Sequence, residues 1–196
     1  MVNHIHRLIQ QSLKVKDHML KDESLQLNIQ EAVILMTEAL QSKQRVYLCG
    51  NGGSAADAQH IAAELTGRFY RERPAYAAEA LHCNSSYLTA VANDYGYDEI
   101  YSRYIEGIGQ PGDVLIGLST SGNSKNIVKA LQVAQAKNLV TIGMTGNFGG
   151  EMLPYCQVWL AVPSNDTPRI QEGHILIGHI LCELVEQSLH QISMSE

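Results

Sequence analysis

A chain of 196 residues, 45% apolar and 17% charged, has the length and composition of one compact globular domain and not of a disordered segment. Its formal net charge of −6 argues against nucleic acid as a main partner, because duplex binding rests on phosphate neutralisation by Lys and Arg, while a local pocket for a small anion stays compatible with it. No apolar run reaches the roughly 20 residues of a membrane helix, and the stretch from Met1 to Asp17 lacks the apolar segment and cleavage site of a signal peptide, so the expected address is the cytoplasm.

Two amphipathic patterns come first. Ile5, Leu8, Ile9, Ser12, Val15 and Met19 share one helical face, and Leu25, Ile29, Ala32, Val33, Met36 and Leu40 share another after a break at Asp22–Ser24. Without a strand beside them, these two helices must cover a sheet face or meet another copy of the chain. From Arg45 the rhythm changes to short apolar runs alternating with helices: Val46–Cys49 then a helix from about Ser54, and Tyr76–Leu81 then a helix from about Ser86. Val114–Ser119 then precedes a helix from about Asn123, Val140–Met144 a short loop and turn, and Val158–Val162 the last helix, Pro168 to Leu189. That alternation predicts an α/β fold, a doubly wound five-stranded parallel sheet with two extra N-terminal helices. All 196 residues read as one domain, with helices over 1–42 and the α/β core over 43–190. Cys49, Cys83, Cys156 and Cys182 are widely spaced and form no C-x-x-C pair, which predicts reduced thiols and no disulfide or metal framework.

Two strand–helix junctions carry phosphate-binding chemistry. The first runs from Cys49 to Asp57: Gly50, Gly52 and Gly53 permit a tight turn and close backbone approach, and Ser54 sits where an N-cap belongs. It is neither a Walker A loop, lacking the Lys, nor a good dinucleotide fingerprint, so no nucleotide or redox cofactor is expected. The second is Ser119-Thr120-Ser121-Gly122-Asn123-Ser124, in which four hydroxyls crowd one strand end and helix start; capping alone does not need so many.

The Ser119–Ser124 run resembles the phosphate loop of the sugar isomerase (SIS) domain family, a flavodoxin-like three-layer sandwich. Together with Cys49–Asp57, the stretch Gln59–Arg68, Ala92-Asn93-Asp94-Tyr95, Arg169-Ile170-Gln171-Glu172 and His179, the chain resembles the phosphoheptose isomerases from its first helix almost to its end. The resemblance implies conversion of sedoheptulose 7-phosphate to D-glycero-D-manno-heptose 7-phosphate, the first step toward the nucleotide-activated heptoses of lipopolysaccharide or capsule. It also implies a homotetramer and one zinc ion per subunit at His60, Glu64, Gln171 and His179. Glu64 and His179 would be the catalytic pair. Substrate contacts would fall on Asn51, Gly52, Gly53, Ser54, Glu64, Arg68, Asn93, Asp94, Ser119, Thr120, Ser121, Ser124 and Gln171.

The residues themselves allow that chemistry. His60 and Glu64 share a helix face and are good ligands for a divalent metal, although the same spacing makes an ordinary ion pair. An enediol mechanism needs one group to take a proton from a carbon next to a carbonyl and another to deliver one to its neighbour, with no redox cofactor. Arg68, one turn past Glu64, either meets the substrate or orients Glu64. Gln171 and His179 are about 12 Å apart along one helix, which predicts that two chains share each site. One departure stands out: some family members carry an Asp immediately before Arg-Ile-Gln, where this chain has Pro168. Asp166 takes over that role, or the role is dispensable. The rival readings are a non-catalytic SIS-domain adaptor, such as a replication-initiator-binding tetramer, and a sugar-phosphate-sensing module. The presence of Glu64 and His179 speaks against the first, and the lack of an effector domain against the second.

Overall fold

The computed structural model describes residues 1–193. Its sheet has five parallel strands, β1 (Val46–Gly50), β2 (Ala78–Ala80), β3 (Val114–Leu118), β4 (Val140–Thr145) and β5 (Val158–Ala161), in the order β2-β1-β3-β4-β5. The helices are α1 (Val2–Lys21), α2 (Glu23–Gln41), α3 (Gly53–Thr66), α4 (Ser85–Asp94), α5 (Ser102–Ile108), α6 (Lys125–Ala136) and α7 (Thr167–Ser193). Strand side chains alternate between two apolar layers, as a sheet covered on both faces requires. Val46, Leu48, Val114 and Ile116 pack with Met36 of α2, Ile61 of α3 and Ile177 of α7. Tyr47, Cys49 and Leu115 pack with Val91 of α4, Ile105 of α5 and Leu131 of α6. Among the described residues no helix is long and apolar enough to cross a membrane.

The expected strand Tyr76–Leu81 contracts to Ala78–Ala80. It is an edge strand, paired only with β1, and the Tyr76 N–H turns away to the carbonyl of Leu65. The helix expected from about Asn123 begins at Lys125, because Ser119–Ser124 stays an irregular loop. Helix α5 carried no clear stripe in the sequence; it forms because Ile100, Tyr101 and Ile105 reach the core. The α2 stripe is buried as its spacing predicts, and Asp22 caps Leu25 N–H at 3.0 Å. In α1 only Met19 is buried, while Ile5, Leu8 and Ile9 stay 50%, 40% and 55% exposed. Val15 and Met19 join the core, while the first half of that stripe finds no cover among the described residues.

Helix α7 is tied across the α3 end of the molecule. Glu186, almost fully buried, accepts the N–H groups of Phe69, Tyr70 and Arg71 and pairs with Arg73 Nε at 2.9 Å. Desolvation alone would raise its pKa, but the Tyr70, Phe69, Arg73 and Arg71 donors outweigh it and hold the carboxyl below the usual range.

His174, also on α7, has 0% exposure, hydrogen-bonds the Thr145 carbonyl through Nε2 at 3.1 Å and leaves Nδ1 without a partner. Burial lowers its pKa to about 4, so the folded chain keeps it neutral where the unfolded chain protonates it below about 6.5. Its contribution to stability is therefore full above pH 6.5 and is lost as pH falls toward 4, a loss of about 3 kcal/mol. Thermal unfolding followed from pH 7 to pH 4 should show this decline, and His174→Gln should flatten it; an equally steep profile in the variant would remove His174 as its source.

Candidate active site

The strand order places a topological switch point between β1 and β3, where the chain leaves toward β2 on one side and β4 on the other, and ligands gather at the carboxyl ends of such strands. Helix α3 starts there directly after β1, and α6 starts there after the Ser119–Ser124 loop. Two other helix starts are closed by side chains, Asp22 for α2 and Asn84 for α4. The N-cap of α3 is Gly52, which has no side chain, and not the expected Ser54, which lies buried inside the helix; Ser124 before α6 makes no capping bond, its hydroxyl accepting from Ser119 at 3.0 Å instead. Both starts thus offer uncapped backbone N–H groups and the positive ends of two dipoles to an anion. Ser121 Oγ accepts from Asn123 N–H, so the hydroxyl hydrogens of Thr120, Ser121 and Ser124 have no acceptor among the described residues and remain available.

Asn51 follows β1 and exchanges two hydrogen bonds with Asn126 of α6, each 2.9 Å, and accepts a third from Tyr97 at 3.1 Å. Asn93 and Asp94 close α4 on the same rim, the Asn93 amide donating to the Asp94 carboxylate at 2.8 Å. The Arg68 guanidinium lies 4.0 Å from Glu72 and has no bond to Glu64, so in this chain it does not orient Glu64 and stays 61% exposed.

The acid–base residues come together across 119 residues of sequence. His60 Nε2 is 3.1 Å from Glu64 Oε1, and His179 Nε2 is 3.5 Å from His60 Nε2. Phe69 packs against the His179 ring at 5.7 Å between centroids. Gln171 does not join them: its side chain lies over Gly53, where an added Cβ would come within 2.5 Å of Nε2. α3 and α7 therefore run side by side in the same direction, with Gln171 level with the phosphate junction and His179 level with His60.

Asp57 was not singled out as a site residue by sequence reasoning. It shares a helix face with His60 and Glu64, and that spacing was the available signal. Its Oδ2 is buried without a partner; burial raises the carboxyl's pKa, opposed by the imidazoles of His60 and His179. Asn126 and Tyr97 were missed as well; only a polar residue ahead of the apolar run from Ile127 hinted at the former. Among the described residues no three His, Cys, Asp or Glu side chains already close around a common point. Glu64, His60 and His179 make an open line of contacts.

The SIS domain family model matches residues 9–146. A phosphoheptose isomerase from Aneurinibacillus thermoaerophilus is 48% identical over 189 residues, 96% of each chain. The chain belongs to the SIS domain family, among the phosphoheptose isomerases. Solved phosphoheptose isomerases superpose along nearly all of it. The one from Neisseria gonorrhoeae has 39% identity and a TM-score of 0.88, covering 94% of this chain and 98% of that one. The one from Francisella tularensis has 33% identity and a TM-score of 0.90, covering 95% and 98%. Membership makes the chain an isomerase and sets aside the adaptor and sensor readings.

The phosphate junction can be tested directly. Removing both hydroxyls in Ser119→Ala/Ser124→Ala should weaken inorganic phosphate as a ligand by about tenfold, the scale of one charge-assisted hydrogen bond. Calorimetric titration that returns the parent affinity would put the anion at another junction.

Proposed function

We propose that this sugar-phosphate isomerase interconverts sedoheptulose 7-phosphate and D-glycero-D-manno-heptose 7-phosphate through an enediol, opening the route to nucleotide-activated heptoses. The observation that carries the reading is the contact line Glu64–His60–His179, built beside an uncapped phosphate junction. Glu64 takes a proton from C1 of the ketose, the hydroxyl proton passes from O1 to O2, and His179 delivers a proton to C2. A single proton transfer from Glu64 back to His179 resets the pair. Such groups supply about 10²–10⁴-fold each.

Glu64→Gln and His179→Gln should each lower kcat at least 100-fold while phosphate affinity holds; activity within tenfold of the parent in both would overturn the assignment.

Two separations within this trio suit a zinc ion, and the open line would have to close around it. Ligands of a tetrahedral zinc with bonds of about 2.0–2.1 Å lie about 3.3 Å from one another, close to the 3.1 Å and 3.5 Å separations here. The orphaned Asp57 oxygen adds negative charge behind the two imidazoles. His60, Glu64 and His179 would hold the ion, with Gln171 reaching it only from another chain. Bound there, zinc would polarise the substrate's carbonyl oxygen and stabilise the developing enediolate. Metal analysis should find one zinc per chain in the parent and a large deficit in His60→Ala; full occupancy in that variant would exclude this site.

A homotetramer with shared sites follows from the bare α1 stripe and from the position of Gln171 apart from the trio. A cytoplasmic address suits the free cysteines, since burial pushes Cys49, Cys156 and Cys182 up, the last two to about 12. Light scattering should report four chains. Because Glu64 and His179 meet through His60 within one chain, mixing Glu64→Gln with His179→Gln under subunit exchange should restore no activity. Recovery would mean that the pair is divided between chains.

A further inference from the structure

Asn126 sits in the first turn of α6, is 2% exposed and bonds Asn51 after β1, which in turn accepts from Tyr97. Its amide orientation is fixed by the backbone. The Ile127 N–H can only donate, and it is shared between the Ser124 carbonyl at 2.9 Å and Asn126 Oδ1 at 3.0 Å, so the opposite atom of that amide is the NH₂ group. That NH₂ donates to Asn51 Oδ1, and Asn126 Oδ1 accepts from Asn51 Nδ2. The orientation of Asn51 follows from that of Asn126. With Tyr97 also donating to it, Asn51 Oδ1 has both lone pairs occupied, and one Nδ2 hydrogen is spent. A single N–H remains, at the switch point between the two uncapped helix starts.

We infer that Asn126 is a positioning residue that presents Asn51 to the ligand as a hydrogen-bond donor only, and that the Asn51–Asn126–Tyr97 network holds three loops in register. Those loops are the β1–α3 turn with Gly52 and Gly53, the loop leading into α6, and the segment after Asn93 and Asp94. A second tie fastens the same parts, since Lys129, one turn along α6, pairs with Glu99 two residues past Tyr97. The ligand atom that such a donor fits is an oxygen of a phosphate or of a sugar hydroxyl. A buried amide pair is a costly way merely to fill space, because each of its polar atoms needs a partner. Here every bond it makes fixes the free Asn51 hydrogen.

This inference rests on the reading that the sugar phosphate occupies the switch point, and its test separates the two. Inorganic phosphate titrated into the parent checks the site itself; a parent that binds no phosphate overturns the reading and the inference with it. Given binding, Asn126→Ala should raise KM and the phosphate dissociation constant about tenfold with kcat changed less than twofold, and Asn51→Ala should do the same. Asn126→Ala/Asn51→Ala should be no worse than either alone, because both act through one hydrogen. Tyr97→Phe, at an exposed position, should fold and raise KM about threefold. Effects that multiply in the double variant overturn the inference, as does a KM unchanged in Tyr97→Phe and Asn126→Ala alike. If Asn126→Ala does not fold, Asn126→Ser with the Tyr97→Phe result decides.

Discussion

Everything at the phosphate end depends on two helices left uncapped at the same place. A parallel sheet sends each strand into its crossover from the same edge, so helix starts collect there. The order β2-β1-β3-β4-β5 sends the crossovers from β1 and β3 to opposite faces and opens a gap between them. At most helix starts, orphan N–H groups are a cost that a Ser, Thr, Asp or Asn side chain removes. Here Gly52 cannot, and Ser124 is occupied by Ser119. The donors are thus left for an anion that the chain does not supply, an arrangement open to a protein whose net charge is negative.

The reacting end depends on how closely α3 and α7 approach. Gly178 faces Ile61 so tightly that a Cβ there would collide with it, and at the other end Gln171 presses on Gly53. Those two contacts set the height of α7 against α3 and bring His179 to His60. The Glu186–Arg73 pair guards the same arrangement from the far side. Its carboxylate holds the chain leaving α3 by three backbone N–H groups, and Phe69 within that segment lies against His179. Removing one partner of so buried a pair would leave an uncompensated charge, so its worth lies more in fixing this path than in net stability.

The periodic signals in the sequence read well, and the ones that depend on neighbours did not. Five strands, the α2 stripe and the two glycine-bearing strand–helix junctions were legible because period and glycine placement are local properties. The length of β2 was not, because an edge strand ends where its partner ends and Tyr76 bonds Leu65 instead. α5 was invisible because its burial comes from residues just before it as much as from its own stripe. The meeting of His60 with His179 was suggested by family likeness and not by spacing, and spacing alone argued that His179 and Gln171 serve different places. The structure agrees on that point within one chain. Asp57 and Asn126 carried no motif; each becomes visible only when the atoms left without a partner, or committed to one, are counted.

The departure at Pro168 then has a physical reading. A cavity of about 310 Å³ opens beside Thr120 and Ser121, and its far wall is Asn147, Ser164, Asn165 and Thr167. Asp166 is exposed and does not line it. The wall is neutral but rich in amide and hydroxyl groups. Against a dianionic phosphate on the opposite loop, a neutral wall avoids the repulsion that a carboxylate would add, and amides and hydroxyls can still both donate to and accept from sugar hydroxyls. A carboxylate grips one hydroxyl strongly; a set of weaker neutral partners tolerates more than one hydroxyl arrangement.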